Sequence, residues 1–137
     1  MKRWAICYVS SAAPLLTDKD VDEVLSWTQS WNLDHNLTGM LLYSDGNFFQ
    51  VIEGETETVK GIFSNIYNDT RHRNLIKIFD KQIDKNSFEF YETNFISKRS
   101  KNLIHDDVPY LKCLETLDKS SQIVVRNILS AFLSDKF

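Results

Sequence analysis

The sequence predicts an α+β fold, because its apolar residues occur with two different spacings. Runs such as Trp4–Ser10 and Thr38–Ser44 are short and rich in aromatic and branched residues, as strands are. After Thr17 and Thr56, apolar residues recur three or four positions apart, as they do in helices. The length of 137 residues is that of a single domain with a sizeable core.

The first half of the chain predicts a strand, a helix and a β-hairpin. Trp4–Ser10 is apolar on both of its faces, which is typical of a central strand covered on both sides. Thr17–Asn32 is the first helix, which begins at capping residues and ends near an Asn-rich loop. Thr38–Ser44 and Gly46–Glu55 are strands joined by an Asp-Gly turn.

The second half adds a helix and two strands. Thr56 caps the helix, and Leu75–Ile83 and Phe88–Ile96 alternate as strands do. The apolar stripe of the helix consists of Val59, Ile62, Phe63, Ile66 and Tyr67. The order β-α-β-β-α-β-β predicts a ferredoxin-like βαββαβ sandwich with one added strand and two helices on one sheet face.

The end of the chain predicts a helical extension. Residues 1–97 are predicted to form one domain, and residues 98–137 a C-terminal extension with two helices. Residues 98–102 are polar and basic and are interpreted as the connection between them. These helices begin near Asp107 and Ser120. The second has an apolar face that must cover another surface, formed by Ile123, Val124, Ile128, Leu129 and Phe132.

Composition excludes several classes of protein. A net charge of −3 and a pI of about 5.6 argue against direct nucleic-acid binding. No signal sequence or membrane-spanning run is visible, so we expect a cytoplasmic protein that does not enter a membrane, with reduced Cys7 and Cys113. The three histidines, His35, His72 and His105, lack the spacing of metal ligands.

Gln50 is the most unusual residue of the third strand. Strand side chains alternate between faces, so its amide lies between Phe48 and Ile52 on one face. In a split βαβ sheet the first and third strands are neighbours, which places Tyr8 beside Gln50. A buried phenol and a buried amide both need hydrogen-bond partners. The pair is either a satisfied polar contact in the core or part of a ligand site.

A second amide and two apolar helix faces favour a ligand. Asn32 falls at the end of the first helix, on the same side of the sheet. Amides carry both a donor and an acceptor, which suits a flat heterocycle with alternating N–H and C=O groups. The flanking helices present side chains that can sandwich a ring: Val24, Leu25 and Thr28 on one and Ile66 on the other. The residues alone predict a buried planar ligand.

Four pieces of the sequence, in this order, resemble the BLUF domains, blue-light sensors that bind flavin. They are Tyr8 within ICYVS, Asn32 before the NLTGMLLY run, Gln50 within FFQVIEGE, and DTRH at Asp69–His72. The resemblance extends from about Arg3 to Ile96, which is most of the chain. Each piece alone is a weak signal, and their common register with the predicted strands and helices makes the combination specific.

The resemblance implies a flavin between the two helices, commonly FAD, with FMN or riboflavin also able to fit. Gln50 would contact both the flavin ring and Tyr8, and Asn32 would pair with the ring edge. The motif at Asp69, Arg71 and His72 would lie near the pyrimidine side. Light would drive electron and proton transfer from Tyr8 to the flavin through Gln50. The rearranged amide would then shift the flavin absorption to the red.

Three positions depart from the family pattern. Trp31 precedes Asn32 where other members often have asparagine or histidine, and it either stacks on the flavin or is an ordinary apolar residue at a helix end. Tyr91 and Thr93 stand where the family frequently has Trp-x-Met on the last strand. That methionine is credited with signal relay, so we expect Tyr91 and Thr93 to relay the signal by different contacts.

The predicted function is that of a photoreceptor without enzyme activity of its own. Its signal would pass through the sheet and C-terminal helices to a separate partner protein, and short members commonly form homo-oligomers. The same helices could instead be a structural lid. The alternatives are a non-signalling flavin-binding protein and a ferredoxin-like enzyme such as an acylphosphatase. The latter needs an early arginine that SSAAPLL lacks.

Overall fold

The computed structural model describes residues 3–83, 95–99, 101 and 118–133. The predicted residues Tyr91, Thr93, His105 and Cys113, and the helix predicted from Asp107, lie outside this part of the chain. The described strands and helices are β1 Arg3–Ala12, α1 Asp18–Asp34, β2 Thr38–Ser44, β3 Asn47–Glu55, α2 Thr56–Tyr67, β4 His72–Ile83, β5 Phe95–Arg99 and α3 Lys119–Leu133.

The strands form one sheet in the order β4-β1-β3-β2-β5. Neighbours are antiparallel except β2 and β5, which are parallel. This is the predicted ferredoxin-like arrangement with β5 added beside β2. As predicted, β1 is central, with β4 on one side and β3 on the other. The β1–β3 register pairs Tyr8 directly with Gln50.

Helices α1 and α2 cover one face of the sheet, as the sequence predicted. Ile6 and Ile52 of the sheet pack against Val59 and Ile62 of α2. A second cluster joins α1 to the strands β2, β3 and β5, through Val21, Leu25, Leu41, Phe48 and Phe95. Because strand side chains alternate, Tyr8 and Gln50 lie on this same helix-covered face.

Helix α3 packs on the opposite face through Ile128, which was predicted, and through Val125, which was not. Val125 is fully buried against Cys7, Met40, Phe49 and neighbouring residues. Ile123 and Val124, which were predicted to face the core, are 58% and 41% exposed. Three consecutive apolar residues span most of a helical turn, so they cannot all point at one surface.

Several element ends differ from the predictions, and β1 is longer than predicted at both ends. Helix α1 continues to Asp34, because the amides of His35 and Asn36 bond back to carbonyls of its last turn. The N-cap of α2 is Glu55 and not Thr56, because the Glu55 carboxylate accepts from two backbone amides at once. Strand β4 begins at His72, three residues before the predicted start.

Strand β5 extends beyond its predicted end. Lys98 and Arg99, predicted to form a connection, pair with β2. The Arg99 guanidinium contacts the carboxylate of Asp22 on α1 at 3.1 Å. The Ser97 hydroxyl donates to the Leu25 carbonyl of the same helix at 2.6 Å. These contacts keep a polar segment ordered at the sheet edge. No helix in the described ranges combines the length and apolarity needed to cross a membrane.

A carboxyl group is fully buried on the face away from α1 and α2. Glu53 is directly opposite Thr38 on β2. Among the described residues, neither Glu53 carboxylate oxygen has a hydrogen-bond partner, and neither does the Thr38 hydroxyl. Burial raises the pKa of Glu53 well above its usual range, and the positive charge of Arg3 only partly opposes this. The folded state therefore favours the neutral acid.

We expect Glu53→Gln to make the unfolding free energy less dependent on pH. A carboxyl whose pKa is raised by folding is harmless below its unfolded pKa of about 4.3 and destabilises the folded state as pH rises. The wild type should lose up to ~1.4 kcal/mol per pH unit above that value, until the folded pKa is reached. Denaturation from pH 4 to 8 measures this, with exposed Glu23→Gln as the control. Equal slopes in wild type and Glu53→Gln would contradict it.

Replacing two glycines, Gly39 and Gly61, by alanine should have opposite effects on the stability of the folded state. Gly39 of β2 has φ of +136°, and an added Cβ would overlap the Val51 carbonyl oxygen. Gly61 lies in α2 with open space around it. We expect Gly39→Ala to destabilise by roughly 3 kcal/mol or more, and Gly61→Ala to stabilise by up to ~1 kcal/mol. Urea denaturation checks both, and similar effects of the two changes would contradict the described β2–β3 packing.

Candidate ligand site between the two helices

A cavity opens between α1, the sheet and the segment that follows α2. It has about 420 Å³ of empty space, part of it open to solvent. Its lining residues are Tyr8, Val24, Trp27, Leu41, Phe48, Ile66, Asp69, Arg71 and His72. The cavity is thus a slot with apolar walls and a polar rim.

Sequence reasoning found six of these residues and missed three. Trp27, Leu41 and Phe48 were not predicted to line the site. Signals for them existed, since Trp27 follows Val24 by three residues on the same helix face. Leu41 pairs with Gln50 across β2 and β3. Phe48 precedes Gln50 by two residues on the same side of the strand.

The other five predicted binding residues do not line the cavity. The Leu25 side chain is buried in the core beside Phe48 and Phe95. Thr28 is half-buried on α1, and the Trp31 ring is stacked between those of Trp27 and His35. Asn32 and Gln50 are buried, with 2% and 1% of their surface exposed. The roles of all five in binding stay predictions.

Tyr8 and Gln50 form the polar contact that the register predicted. The Tyr8 hydroxyl donates to Gln50 Oε1 at 2.5 Å, in a fully buried environment. Its ring packs edge-on against those of Phe63 and His72, with centroids 5.9 and 6.0 Å away. The phenol is therefore held in one orientation, with its ring in the cavity wall and its proton directed at the amide.

Burial keeps the Tyr8 phenol neutral. Removal from water raises the pKa of Tyr8 far above its usual value, and the negative charge of Asp69 adds to the effect. A phenolate would be costly here because no cation compensates it among the groups that shift this pKa. Tyr8 is consequently a neutral hydrogen-bond donor at ordinary pH.

Two buried amide nitrogens fit a ligand that carries acceptors. Among the described residues, Gln50 Nε2 and Asn32 Nδ2 have no hydrogen-bond acceptor. Buried donors are nearly always paired in folded proteins, so these two indicate a missing acceptor. The edge of a flavin ring offers carbonyl oxygens and a ring nitrogen that can accept. The two donors and the apolar lining of the slot fit such a ring.

His72 uses both ring nitrogens within the protein. Its Nε2 lies 2.7 Å from the Ile66 carbonyl, which can only accept, so Nε2–H donates. Its Nδ1 lies 2.7 Å from the Ser10 hydroxyl of β1, which can donate to it. His72 thus ties the end of α2 to the sheet beside Tyr8. It was predicted as a flavin contact, and it lines the cavity.

The polar rim is a nearly neutral ion pair. Arg71 Nε lies 3.0 Å from both Asp69 carboxylate oxygens, and the Arg71 backbone amide also donates to this carboxylate at 2.9 Å. Hydrogen bonds from Arg71 lower the pKa of Asp69, and the same bonds raise the pKa of Arg71. Both groups are therefore charged, and each largely cancels the charge of the other.

No metal site accompanies this cavity in the described part of the chain. Within that part, the His, Cys, Asp and Glu side chains form no group of three able to hold an ion. The only described cysteine, Cys7, is a free thiol buried on the opposite face of the sheet.

The chain is similar to several light-responsive proteins. It is 37% identical over 60 residues to the blue light- and temperature-regulated antirepressor BluF of Escherichia coli, and 31% identical over 80 residues to photoactivated adenylate cyclase subunit alpha of Euglena gracilis. These matches cover 44% and 58% of the chain. They span only 15% and 8% of the two relatives.

Solved structures share the fold. A Klebsiella pneumoniae BlrP1 complex with manganese and cyclic diGMP matches 98% of the chain and 33% of its own, with a TM-score of 0.67 and 27% identity. BlsA in its photo-activated state matches 97% of the chain and 93% of its own, with a TM-score of 0.62 and 25% identity.

A family model matches the part of the chain that contains the cavity. The model described as "BLUF: Sensors of blue-light using FAD" matches residues 4–94, which is more than half of the chain. The matched range contains every described residue of the cavity wall. It is a family of sensors whose cofactor is a flavin, which confirms the resemblance seen in the sequence. The chain belongs to the BLUF family of blue-light sensors.

Proposed function

We propose that this protein senses blue light through proton-coupled electron transfer from Tyr8, with Gln50 as the switching group. The observation that carries the proposal is the 2.5 Å hydrogen bond from the Tyr8 hydroxyl to Gln50 Oε1, beside an amide nitrogen without an acceptor among the described residues. A bound flavin, once excited by blue light, supplies a strong one-electron oxidant at this place.

The environment of Tyr8 couples the electron to the proton. Burial strongly disfavours any charged form of the phenol, so an electron that leaves Tyr8 takes the hydroxyl proton with it. Gln50 Oε1 is the acceptor in line with that proton. When the electron and proton return to Tyr8, the Gln50 amide remains turned over or tautomerised.

The Gln50 amide suits a switch because its two ends have opposite hydrogen-bonding character. Reversing it exchanges a donor for an acceptor with almost no change in shape. A glutamate would place a charge in the same buried position, and a leucine would offer no hydrogen bond. The sheet then has two discrete hydrogen-bonded states, which elements packed on it can distinguish.

The flavin is held mainly by its ring in this proposal. Val24 and Ile66 would contact the ring from the two helices, and Asn32 and Gln50 would supply donors to its polar edge. One BlrP1 structure was determined with FMN, and the family description names FAD. We propose FAD as the bound flavin, with FMN and riboflavin able to replace it.

The signal leaves through the sheet and the C-terminal segment. Helix α3 packs through Val125 on the face opposite the cavity, where it contacts the strands that carry Tyr8 and Gln50. We propose that this contact, together with Tyr91 and Thr93, relays the change to a separate partner protein in the cytoplasm. Homo-oligomers of the chain would present the relay surface. A pull-down in darkness and under blue light tests the partner, and identical captures would contradict it.

Gln50→Leu should still bind flavin and lose the light-induced red shift. The apolar slot is unchanged in this variant, whereas the switching amide is absent. The measurement is the flavin absorption spectrum before and during blue illumination. Gln82→Leu, which removes an exposed glutamine of β4, is the matched control and should keep the shift.

The absorption spectrum of the wild type under blue light distinguishes a photosensor from a protein that binds flavin without signalling. Flavin that binds but does not shift under light would indicate a non-signalling flavin-binding protein. A normal shift in Gln50→Leu would remove Gln50 from the mechanism while leaving flavin binding intact. Failure of the wild type to bind any flavin would overturn the proposal as a whole.

Thr93→Met should change the rate at which the red-shifted form returns in darkness. A threonine hydroxyl can hydrogen-bond to an amide, and a methionine thioether is a much weaker acceptor. The decay of the red-shifted absorbance after illumination measures the rate. Identical kinetics in wild type and Thr93→Met would exclude a contact between Thr93 and the switching amide.

A further inference from the structure

We infer that Trp27 forms the outer wall of the flavin site and contacts the ring system, with Trp31 holding it in position. The inference rests on the proposed function, because it concerns the same cavity. It names a binding residue that neither the motifs of the sequence nor the amide pair indicated.

Trp27 borders two spaces at once. Its indole lines the cavity together with Tyr8 and Ile66. It also borders a shallow surface groove on the outside of α1, beside Asp22, Ser26 and neighbouring polar residues. Trp27 therefore lies between the cavity and the solvent-exposed side of α1.

The exposure of Trp27 is unusual for so large an apolar residue. It is 52% exposed, whereas tryptophan is highly buried on average. An indole face that a planar aromatic ligand can cover gains both buried area and ring stacking. Val24, one turn earlier on the same helix, already lines the cavity. Together they offer one continuous apolar wall.

The indole is held in place by a column of stacked rings. Trp27 stacks on Trp31 with centroids 6.1 Å apart and an angle of 25° between the planes. Trp31 stacks on His35 at 3.6 Å and 10°. The His35 Nδ1 lies 2.7 Å from the Trp31 carbonyl, which fixes the end of the column. A wall held in its binding orientation loses little entropy when a ligand arrives.

The ligand part that Trp27 contacts is the ring and not the phosphate tail. Most side chains that line the cavity are apolar or aromatic, and its single described cation, Arg71, is already paired with Asp69. A neutral rim of this kind gives a phosphate little additional attraction. The contribution of Trp27 should therefore be the same for flavins with and without phosphates.

Trp27→Ala should weaken the binding of lumiflavin, riboflavin, FMN and FAD by about the same factor, roughly tenfold. Trp27→Phe, which keeps an aromatic face, should weaken binding less. Dissociation constants are measured by flavin fluorescence titration of the purified full chain. Tyr67→Ala is the matched control, since Tyr67 is a similarly exposed aromatic residue of α2 that does not line the cavity.

The outcomes distinguish the inference from the proposed function. Unchanged affinity in Trp27→Ala, or a loss confined to FAD, would overturn the ring contact while flavin binding by the wild type stands. Failure of the wild type to bind all four flavins would overturn both. Melting temperatures of the variants without flavin show whether a loss reflects unfolding. If Trp27→Ala is unfolded, the same comparison with Trp27→Phe decides the matter.

Trp31 should act only through Trp27. Trp31→Ala should weaken flavin binding by a smaller factor, and the double variant should bind no more weakly than Trp27→Ala alone. Such non-additivity is the signature of two residues that share one contact. Additive losses would instead indicate that Trp31 contacts the flavin directly, and would overturn its role as a positioning residue.

Discussion

The hydrogen bond between Tyr8 and Gln50 is the contact on which the rest of the site depends. It exists because β1 and β3 are neighbours in the sheet and because their register places these two residues opposite each other. A shift of one residue in that register would send both side chains to the other face. The apolar clusters on either side of the pair prevent such a shift, since they would have to exchange faces too. Packing of the core therefore fixes the position of the switching amide.

Strand β3 carries a polar group to each face of the sheet. Gln50 lies under the helices α1 and α2, and Glu53, three residues later, lies on the side that α3 covers. Both are buried, and both have polar atoms without partners among the described residues. The two groups differ in kind. The amide can satisfy a ligand without any change of charge, whereas the carboxyl is kept neutral by its surroundings.

The cavity recognises a ligand mainly through the shape of its apolar walls and only weakly through charge at its rim. Helices α1 and α2 provide flat apolar walls, and His72 fastens the end of α2 to β1 through both ring nitrogens. Charge plays a smaller part, because Asp69 and Arg71 neutralise each other at the mouth. A site built in this way favours a planar aromatic ring over an anionic tail. It agrees with the family to which the chain belongs, whose cofactor is a flavin.

The sequence by itself determined the order of the elements, the faces of the strands and the pairing of Tyr8 with Gln50. These follow from periodicity and topology, which are local or nearly local properties. The end of β5 and the buried residue of α3 depended on tertiary contacts, whereas local hydrogen bonds, which the pattern of apolar residues does not show, set the end of α1 and the cap of α2. Arg99 extends β5 because α1 offers it a carboxylate, and Val125 is buried because only one direction around α3 faces the sheet. Trp27 was missed for the same reason. Its helix face was predictable, but only the packing of α1 against the sheet and the end of α2 makes that face a wall of the cavity.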